Sequence, residues 1–449
     1  MQKEVIKVKK GLNIPLEGEA RKVIIDKVSK AKYISINFDS FSDFLPKLLV
    51  RPGDRVKVLS PIACDNYRQE IVIPSPVSGQ VIDIIRGEKR RVLNIVIEND
   101  FYYEDDERIK NLKFYDDKDV LIKTGLWSFI RQRPFNIIAE TNVEPKAIFI
   151  SAFDTSPLSP DIDFILEDKV EYIQAGIDLL RKITNKKIFV GLKADKSSIF
   201  EDIKGIEKKY FEGPHPVGNV GIQIHHVCPI KKGEIVFTIR PEDLYIIGKF
   251  ILEKKFDPFR IIAITGSQLL DRVYIKTILG AQLKSFIDES NIIGQNNRFI
   301  SGNVLTGINV GYDGYLGYYD RMITVIPEGN YYEFFGWLLP SFKKYSPSRL
   351  FFSWFKKNKK YILDTNLHGG ERPFIFSDVY EKVLPMQIIP IFLFKAAITK
   401  NIEQLEKLGI YEIVEEDIAL CEYVCVSKIE LQKLIRDALN YIRKEVKYV

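Results

Sequence analysis

The sequence predicts a multidomain α/β protein with a β-rich beginning and a helical end. The chain has 449 residues, and at about 150 residues per domain this length suggests two to four domains. Apolar residues recur at strand spacing in the first part of the chain, and at mixed strand and helix spacing after about residue 130. The end of the chain carries one helical apolar stripe. We therefore predict four domains, at residues 1–105, 106–257, 258–330 and 331–449.

The composition is that of a folded chain without a strong charge preference. Hydrophobic residues make up 46% of the chain and charged residues 28%, which excludes wholesale disorder. A net charge of +6 is too dilute for a dedicated nucleic-acid binder, so we expect no nucleic-acid partner. The four cysteines are too few and too scattered for a secreted disulfide framework, and they suit a reducing compartment.

No segment of the sequence is typical of a membrane anchor. The basic start does not run into an apolar core, so we expect no secretory signal. The longest apolar stretch, Val383–Phe394, is interrupted by Pro385 and Pro390 and is too short to span a bilayer. Any membrane contact is therefore expected through a partner or a shallow surface.

The first domain has the layout of a biotinyl or lipoyl carrier. Residues Val50–Ile84 combine a glycine turn, a hairpin and a P-x-S-G turn before the returning strand. Carriers hold their cofactor on a lysine at the hairpin tip, but the residue ten positions before Ser78 is Arg68, which cannot form that amide. We expect a β-sandwich that acts as a structural or docking module. Arg68 is expected on its surface, unmodified and replaceable by alanine without loss of folding.

The second domain is predicted to be a parallel α/β domain. Ala147–Ser151 and Lys186–Leu192 are apolar bursts of strand length, and apolar residues at helical spacing run from Val170 to Leu180 between them. A strand, helix and strand in this order predict parallel strands joined by a crossover. Pro241–Glu253 is a second candidate helix.

Phosphate-binding glycine loops are missing where a nucleotide-binding domain needs them. The loop after the first strand, Ala152–Pro160, contains no glycine, which argues against a bound dinucleotide. Gly311–Gly317 matches a glycine spacing but is predicted to form turns. Asp154 and Thr155 follow the strand at the sheet edge where ligands bind, although local turns explain these residues equally well.

The last two domains are predicted from shorter signals. Arg260–Gly266 is typical of a strand, and six glycines from Gly294 to Gly317 indicate small strands and tight turns. Ser427 begins a capping-box pattern, so we predict a terminal helix over residues 428–446.

Histidines and cysteines give no strong metal pattern. His225, His226 and Cys228 are candidate ligands, but adjacent histidines on a strand point to opposite faces, so we expect no metal there. Cys421 and Cys425 share a helical face without further thiols nearby, so we expect structural cysteines and not an iron–sulfur cluster.

One aromatic and basic run combines the residue types of interfaces and ring-binding pockets. It contains Trp127, Phe129, Arg131, Arg133 and Phe135. If exposed, these side chains are suited to a partner or a planar ring; alternatively, they fill a junction between domains. A second run, Gly336–Pro340 and the basic stretch after it, suits a partner protein, a membrane surface or a solvated segment.

These landmarks, in this order, resemble the NqrA family of sodium-translocating NADH:quinone reductases. The matching stretches cover nearly the whole chain: Lys9–Gly18, Ser75–Ile97, Arg131–Phe135, Ala147–Asp161, Phe211–Ile230, Ser301–Gly307, Phe334–Pro340 and Glu415–Cys425. The resemblance implies an N-terminal barrel-sandwich hybrid, a Rossmann-like α/β domain, a β-grasp domain of the soluble-ligand-binding (SLBB) type and a helical C-terminal part.

The same resemblance implies a role in a respiratory complex. The family's complex has six subunits, oxidises NADH, reduces ubiquinone or menaquinone and exports sodium. Its NqrA component is peripheral, on the cytoplasmic face of the bacterial inner membrane, and its chief partner is expected to be the membrane-embedded B subunit. The architecture is also similar to flavin-binding and iron–sulfur subunits of related complexes. Because this chain lacks their glycine loop and cysteine sets, it resembles a member that has lost redox cofactors, with flavins and clusters in other subunits.

The resemblance leaves the chain's own role open. One possibility is that Trp127, Phe129, Arg131, Arg133 and Phe135 form or shield the quinone site or an interface between subunits, with an α/β cleft at Asp154, Thr155 and His215. The alternative is a cofactor-free scaffold without quinone contact. An independent soluble dehydrogenase is disfavoured by the missing glycine turn.

We predict that the isolated chain carries no flavin, metal or iron–sulfur cluster, because its α/β loop has no glycine and its thiols are not clustered. The visible absorption spectrum and metal content of the purified protein test this. Stoichiometric flavin or iron would contradict it.

Overall fold

A computed structural model describes residues 4–110, 117–331, 333–336, 341–356 and 358–447. The strands are β1 (Val5–Lys7), β2 (Arg21–Asp26), β3 (Tyr33–Asn37), β4 (Pro46–Leu48), β5 (Arg55–Val56), β6 (Pro61–Asp65), β7 (Val72–Pro74), β8 (Gly79–Arg86), β9 (Val92–Asn99), β10 (Arg131–Arg133), β11 (Ile137–Ile138), β12 (Ala147–Ser151), β13 (Ile188–Lys193), β14 (Glu207–Glu212), β15 (Val236–Thr238), β16 (Phe259–Thr265), β17 (Val273–Ile278), β18 (Asn297–Ser301), β19 (Ile308–Asn309) and β20 (Met322–Pro327). The helices are α1 (Glu107–Lys110), α2 (Asp117–Thr124), α3 (Ile162–Ile165), α4 (Val170–Thr184), α5 (Val220–Val227), α6 (Pro241–Glu253), α7 (Val379–Val383), α8 (Pro390–Ile398), α9 (Ile402–Lys407), α10 (Glu415–Val424) and α11 (Leu431–Lys447).

The first domain is built from two small antiparallel sheets. One has the strand order β3-β9-β8-β5 and the other the order β4-β6-β7. Their inner faces share a core of β-branched side chains, including Ile34, Ile62 and Ile97, which are fully buried. Alternating apolar residues on short strands produce this arrangement, as the sequence predicted.

Arg68 lies in the hairpin between β6 and β7, but the expectation of a free surface arginine is wrong. Its Nε donates to the Asp65 carboxylate at 2.9 Å and its Nη2 donates to the Asp43 carbonyl oxygen at 2.9 Å. The Asp65 side chain is only 1% exposed. The Nη1 atom of Arg68 lies 3.5 Å from the carbonyl oxygen of Ile138 in the second domain. The Arg68 side chain therefore connects the hairpin tip both to the rest of the first domain and to the second domain.

The second domain is a seven-stranded sheet in the order β1-β14-β13-β12-β15-β10-β11. β12 and β13 are parallel, with Ile148 opposite Ile188, and the crossover helix α4 connects them as predicted. The predicted helix Pro241–Glu253 is confirmed as α6. α4 and α6 cross closely because Gly248 has no side chain: a Cβ there would come within 1.8 Å of the Tyr172 carbonyl oxygen.

The third domain is a six-stranded mixed sheet in the order β19-β18-β20-β16-β17-β2. The predicted strand Arg260–Gly266 is present as β16, antiparallel to β17 and parallel to β20. Gly311–Gly317 forms the turns that lead from β19 to β20, in agreement with the turn prediction.

The first two strands of the chain pair outside the first domain. β1 runs parallel to β14 at the edge of the second domain's sheet, with Val5 opposite Tyr210. β2 runs parallel to β17 at the edge of the third domain's sheet. The sequence boundaries of the four domains stay a prediction, but these two strands link the first domain to the second and the third.

The fourth domain is helical, and its core lies between α7, α8, α10 and α11. The terminal helix is present, but it begins at Leu431, so the predicted start at 428 with Ser427 as its cap is wrong. The Ser427 hydroxyl instead donates to the Pro373 carbonyl oxygen at 3.1 Å. Glu422 accepts from the Gln432 amide at 2.7 Å in the first turn. Cys421 and Cys425 are buried and not disulfide-bonded, with Cys425 3.2 Å from the Tyr380 hydroxyl.

Within the described ranges, none of the helices combines the length and apolarity needed to cross a bilayer. Residues Trp337–Pro340 of the second aromatic and basic run lie outside the described residues.

Arg68→Ala is expected to lower the free energy of unfolding by about 3 kcal/mol, because it leaves the buried Asp65 carboxylate without its partner. Urea-induced unfolding measures this. Arg55→Ala, at an exposed arginine of the same domain, is the control and is expected to change stability by less than about 0.5 kcal/mol. Equal effects of the two substitutions would show that the Arg68 ion pair contributes little.

Candidate functional site

A cleft of about 170 Å³ lies where the second domain meets the third and fourth. Its floor is formed by the carboxyl ends of β12 and β15, the edge of a parallel sheet at which ligands usually bind. Loop residues of the third domain and Glu416 of α10 form the other walls. The cleft therefore requires three domains to be in place.

Asp154 lies at the end of β12 and holds the third domain against the second. Its Oδ2 accepts from Arg321 Nη2 at 2.8 Å, and its Oδ1 accepts from the Ser156 amide at 2.7 Å. Burial alone would raise the pKa of Asp154, but Arg321 and the Ser156 amide outweigh it and hold the pKa below its usual value. Asp154 is therefore an ionised anchor within the cleft wall.

His215 and Thr155 form a second polar pair at the cleft. The Thr155 hydroxyl lies 3.1 Å from His215 Nδ1 and accepts from the Gly218 amide at 3.0 Å. The His215 backbone amide donates to Asn13, so the N-terminal segment fixes this loop. Burial lowers the pKa of His215 to about 4, against the attraction of Asp154. The imidazole is therefore neutral at pH 7.

Arg131 and Arg240 place two guanidinium groups beside the ring of Tyr319. Their Cζ atoms lie 4.6 and 5.8 Å from the ring centroid. Arg131 Nη2 donates to the Asn136 carbonyl oxygen at 2.8 Å, and burial lowers the pKa of Arg131. Phe129, which also lines the cleft, stacks on Tyr318 at 5.6 Å. The cleft thus combines aromatic rings with strong hydrogen-bond donors.

Two residues that line the cleft each have a buried polar atom with an unused hydrogen-bonding capacity. Within the described part of the chain, Ser156 Oγ and Arg131 Nε have no hydrogen-bond partner. Unsatisfied buried polar atoms are rare in folded proteins. Both atoms are shielded from solvent, so a ligand in the cleft reaches them only if these side chains shift.

The structure divides the predicted run from Trp127 to Phe135. Phe129 and Arg131 line the cleft together with Asp154 and His215, while Thr155 contacts His215 and is not part of the cleft lining. Of the two alternatives, the exposed run is excluded, because Trp127, Phe129 and Arg133 are at most 2% exposed. The other reading, in which the aromatics fill a domain junction, describes their packing.

Trp127, Arg133 and Phe135 contact other parts of the chain and do not line the cleft. Trp127 Nε1 donates to the Ala139 carbonyl oxygen at 2.7 Å. Arg133 Nη1 donates to Asp417 at 2.7 Å, and Nη2 donates to Glu416. Burial raises the pKa of Asp417 against the opposing attraction of Arg133. The Phe135 ring meets Tyr411 edge to face at 6.1 Å.

The two adjacent histidines lie on a helix, so the strand assumption made for them is wrong. His225 and His226 both belong to α5. His225 Nε2 accepts from the Gln387 amide at 2.9 Å and its Nδ1 lies 2.8 Å from Glu412, which connects α5 to the fourth domain. No cluster of three or more metal-binding side chains occurs among the residues for which the structure gives positions.

Sequence reasoning missed five charged residues that line the cleft: Arg240, Asp243, Asp320, Arg321 and Glu416. Arg240 precedes Pro241 at the start of a predicted helix, which is the one local signal that pointed to it. Arg321 and Glu416 come from other domains, and nothing in their local sequence places them beside Asp154 or Arg131.

Three sequence profiles of known families match successive parts of the chain. Residues 6–100 match the NqrA N-terminal barrel-sandwich hybrid domain, residues 116–256 the NqrA second alpha/beta domain, and residues 261–311 the NQRA C-terminal domain. Together with the described sheets and helices, these matches confirm the predicted fold class.

Curated relatives match along almost the whole chain. The A subunit of the Na(+)-translocating NADH-quinone reductase of Neisseria meningitidis serogroup A is 36% identical over 448 residues, which cover 98% of this chain and 100% of that protein. The proteins of the same name from Pasteurella multocida and Rhodopirellula baltica are each 33% identical, over 98% of this chain and 100% and 98% of their own lengths. Among solved structures, an NAD+-reducing nickel–iron hydrogenase matches with a TM-score of 0.40 and 11% identity, over 74% of this chain and 62% of that chain, less than two thirds of its length.

The neutral, buried His215 is expected to make the fold sensitive to acid. Its pKa falls from an ordinary 6.5 to about 4 in the folded state, so between these values the unfolded chain binds a proton that the folded chain does not. Stability is then lost as the pH falls from above 6.5 towards 4, by roughly 3 kcal/mol in total.

Thermal unfolding midpoints at several pH values between 7 and 4 test this prediction. His215→Gln is expected to show a smaller fall in the midpoint than the unchanged protein. His368→Gln is the control, because the side chain of His368 is 55% exposed. If all three proteins lose stability in parallel, His215 is not the group responsible.

Proposed function

Because the chain belongs to the NqrA family, as its sequence landmarks predicted, we propose that it serves as the NqrA component of a Na(+)-translocating NADH-quinone reductase. The complex oxidises NADH, reduces ubiquinone or menaquinone and exports sodium. Support comes from relatives named for that complex that match over their full length. We place the chain at the periphery of the complex, on the cytoplasmic face of the inner membrane, docked chiefly on the membrane-embedded B subunit.

Within the complex, the chain is proposed to act on the quinone and not on NADH. The loop after β12, Ala152–Pro160, has no glycine to admit a pyrophosphate, and Asp154 in that loop is already paired with Arg321. Flavins and iron–sulfur clusters are accordingly assigned to other subunits. The isolated chain is expected to be inactive as a reductase.

The cleft is the proposed place for the quinone headgroup. A quinone ring carries two carbonyl oxygens, which accept hydrogen bonds, on a flat apolar ring. The observation that carries the proposal is that Phe129 and Arg131, chosen from the sequence for ring binding, line the same cleft as Asp154 and His215. The Arg131 guanidinium, which lines the cleft and whose Nε has no hydrogen-bond partner among the described residues, is the proposed donor to a quinone carbonyl oxygen. Phe129 supplies part of an apolar wall.

The remaining residues of the run have a supporting role in this proposal. Trp127, Arg133 and Phe135 fix β10 and its flanking segments, so they hold Arg131 in position without touching the quinone. The isoprenoid tail of a quinone needs lipid. A site shared with the membrane-embedded B subunit therefore suits a chain that itself offers a cleft only for the headgroup.

We test the quinone role in the assembled complex with a photoreactive quinone analogue. Labelling of this chain is expected in peptides that contain cleft residues. Arg131→Gln is expected to weaken labelling and to raise the KM for quinone roughly tenfold, since a hydrogen bond from a charged donor contributes about 1.5 kcal/mol.

Arg55→Gln, at an exposed arginine of the first domain, is the matched control and is expected to leave both measurements unchanged. Native gel electrophoresis checks that each variant assembles. If the analogue labels only other subunits and Arg131→Gln reduces quinone normally, the quinone role fails. The alternative, a cofactor-free structural scaffold, then takes its place.

A further inference from the structure

The fourth domain contains a stretch in which positive charge and aromatic rings are concentrated. We call residues 341–360 the aromatic–basic segment; the structure describes all of it except residue 357. It contains seven Lys and Arg residues, six Phe, Tyr and Trp residues, and no Asp or Glu. Nothing in the quinone proposal uses this segment.

Four rings of the segment form one continuous cluster on the surface. Phe342 lies 5.7 Å from Phe352, Phe352 lies 6.5 Å from Phe355, and Phe355 stacks on Trp354 at 4.5 Å between ring centroids. Trp354, the least exposed of the four, is 48% exposed. Scattered exposed rings are ordinary, but a contiguous exposed cluster marks a surface that another phase or molecule covers.

Hydrogen bonds fix the backbone beneath the ring cluster to the rest of the protein, so the cluster stays on the surface. Ser353 is buried, and its carbonyl oxygen accepts from the Tyr361 hydroxyl at 3.2 Å. Tyr361 in turn donates its amide to the Pro15 carbonyl oxygen at 2.8 Å, and its own carbonyl oxygen accepts from the Glu17 amide at 2.9 Å. These contacts hold the segment with its ring cluster facing outward.

Three of the described charges around the cluster lack carboxylate partners. Lys343, Arg349 and Lys356 are exposed and form no ion pair with any residue that the structure describes. Arg349 lies 5.5 Å from the Trp354 ring, so a cation accompanies the ring at the surface. Two other described lysines of the segment do form ion pairs: Lys344 with Glu333 and Lys360 with Glu19.

From this combination we infer that the aromatic–basic segment binds directly to an anionic phospholipid bilayer, with its ring cluster at the depth of the headgroups. Trp and Phe rings favour that depth, and unpaired Lys and Arg favour phosphate groups. A bilayer presents negative charge in every lateral direction, so cations spread along the segment each find a partner without matched geometry. A protein partner would need carboxylates placed against each cation.

Vesicle sedimentation with the purified full chain tests this inference. The chain is expected to bind vesicles of phosphatidylglycerol and phosphatidylethanolamine. Its binding to vesicles of phosphatidylcholine is expected to be at least tenfold weaker. Binding to the anionic vesicles is expected to fall as salt is raised, because the cations are exposed.

Two variants locate the contact. Phe352→Ser with Phe355→Ser removes two rings, and Lys343→Glu with Lys356→Glu reverses two charges. Each pair is expected to lower the partition onto anionic vesicles at least tenfold. The matched control is Phe376→Ser with Lys395→Glu, which removes another exposed ring and the cation 5.2 Å from it elsewhere in the fourth domain.

The control is expected to bind as the unchanged chain does, and circular dichroism confirms that every variant folds. The inference is overturned if the chain does not bind anionic vesicles, or if both segment variants bind as well as the control. In the second case, the aromatic–basic segment is assigned to contact with a protein partner instead of the bilayer. The vesicle test does not use the Arg131→Gln variant, so the outcome of the vesicle test is independent of the quinone proposal.

Discussion

The buried guanidinium of Arg133 is the constraint on which the arrangement of the domains depends. Its side chain is 1% exposed, and a charge at that depth costs several kcal/mol unless it is paired. Its partners, Asp417 and Glu416, are in the first turn of α10, so β10 and the fourth domain must meet. Arg436 reinforces the junction by binding Glu415 and the Phe135 carbonyl oxygen. Glu416 also lines the cleft, so the ion pairing that neutralises Arg133 also completes the wall beside Arg131.

Local patterns predicted the elements of the second domain well, because hydrophobic periodicity is a property of a dozen neighbouring residues. β12, α4, β13 and α6 lie where that periodicity placed them. Exposure was predicted poorly, because it depends on residues far away in the chain. Arg133 and its partner Asp417 are 284 positions apart, and no local signal in a basic and aromatic run distinguishes an interface from a buried junction.

The cleft shows the same division. Asp154 was found because a residue at the carboxyl end of a strand has a defined place in a parallel sheet. Arg131 was found from its residue type alone, and that the two meet in one cavity was not foreseen. Arg321 was missed because it reaches Asp154 from another domain. The histidines of α5 were placed on a strand, whereas the structure places them on a helix.

The position of the first two strands has a consequence for how the chain is made. β1 completes a sheet with Tyr210 opposite Val5, and β2 pairs with residues near Tyr274. At 5–20 residues per second, a ribosome needs roughly 10 to 40 seconds to deliver the partner of β1. During that time the amino-terminal segment leaves the ribosome first yet has nothing to pair with. The first domain can fold during translation. The sheets of the second and third domains each lack an edge strand until β1 and β2, which were synthesised first, pair with them.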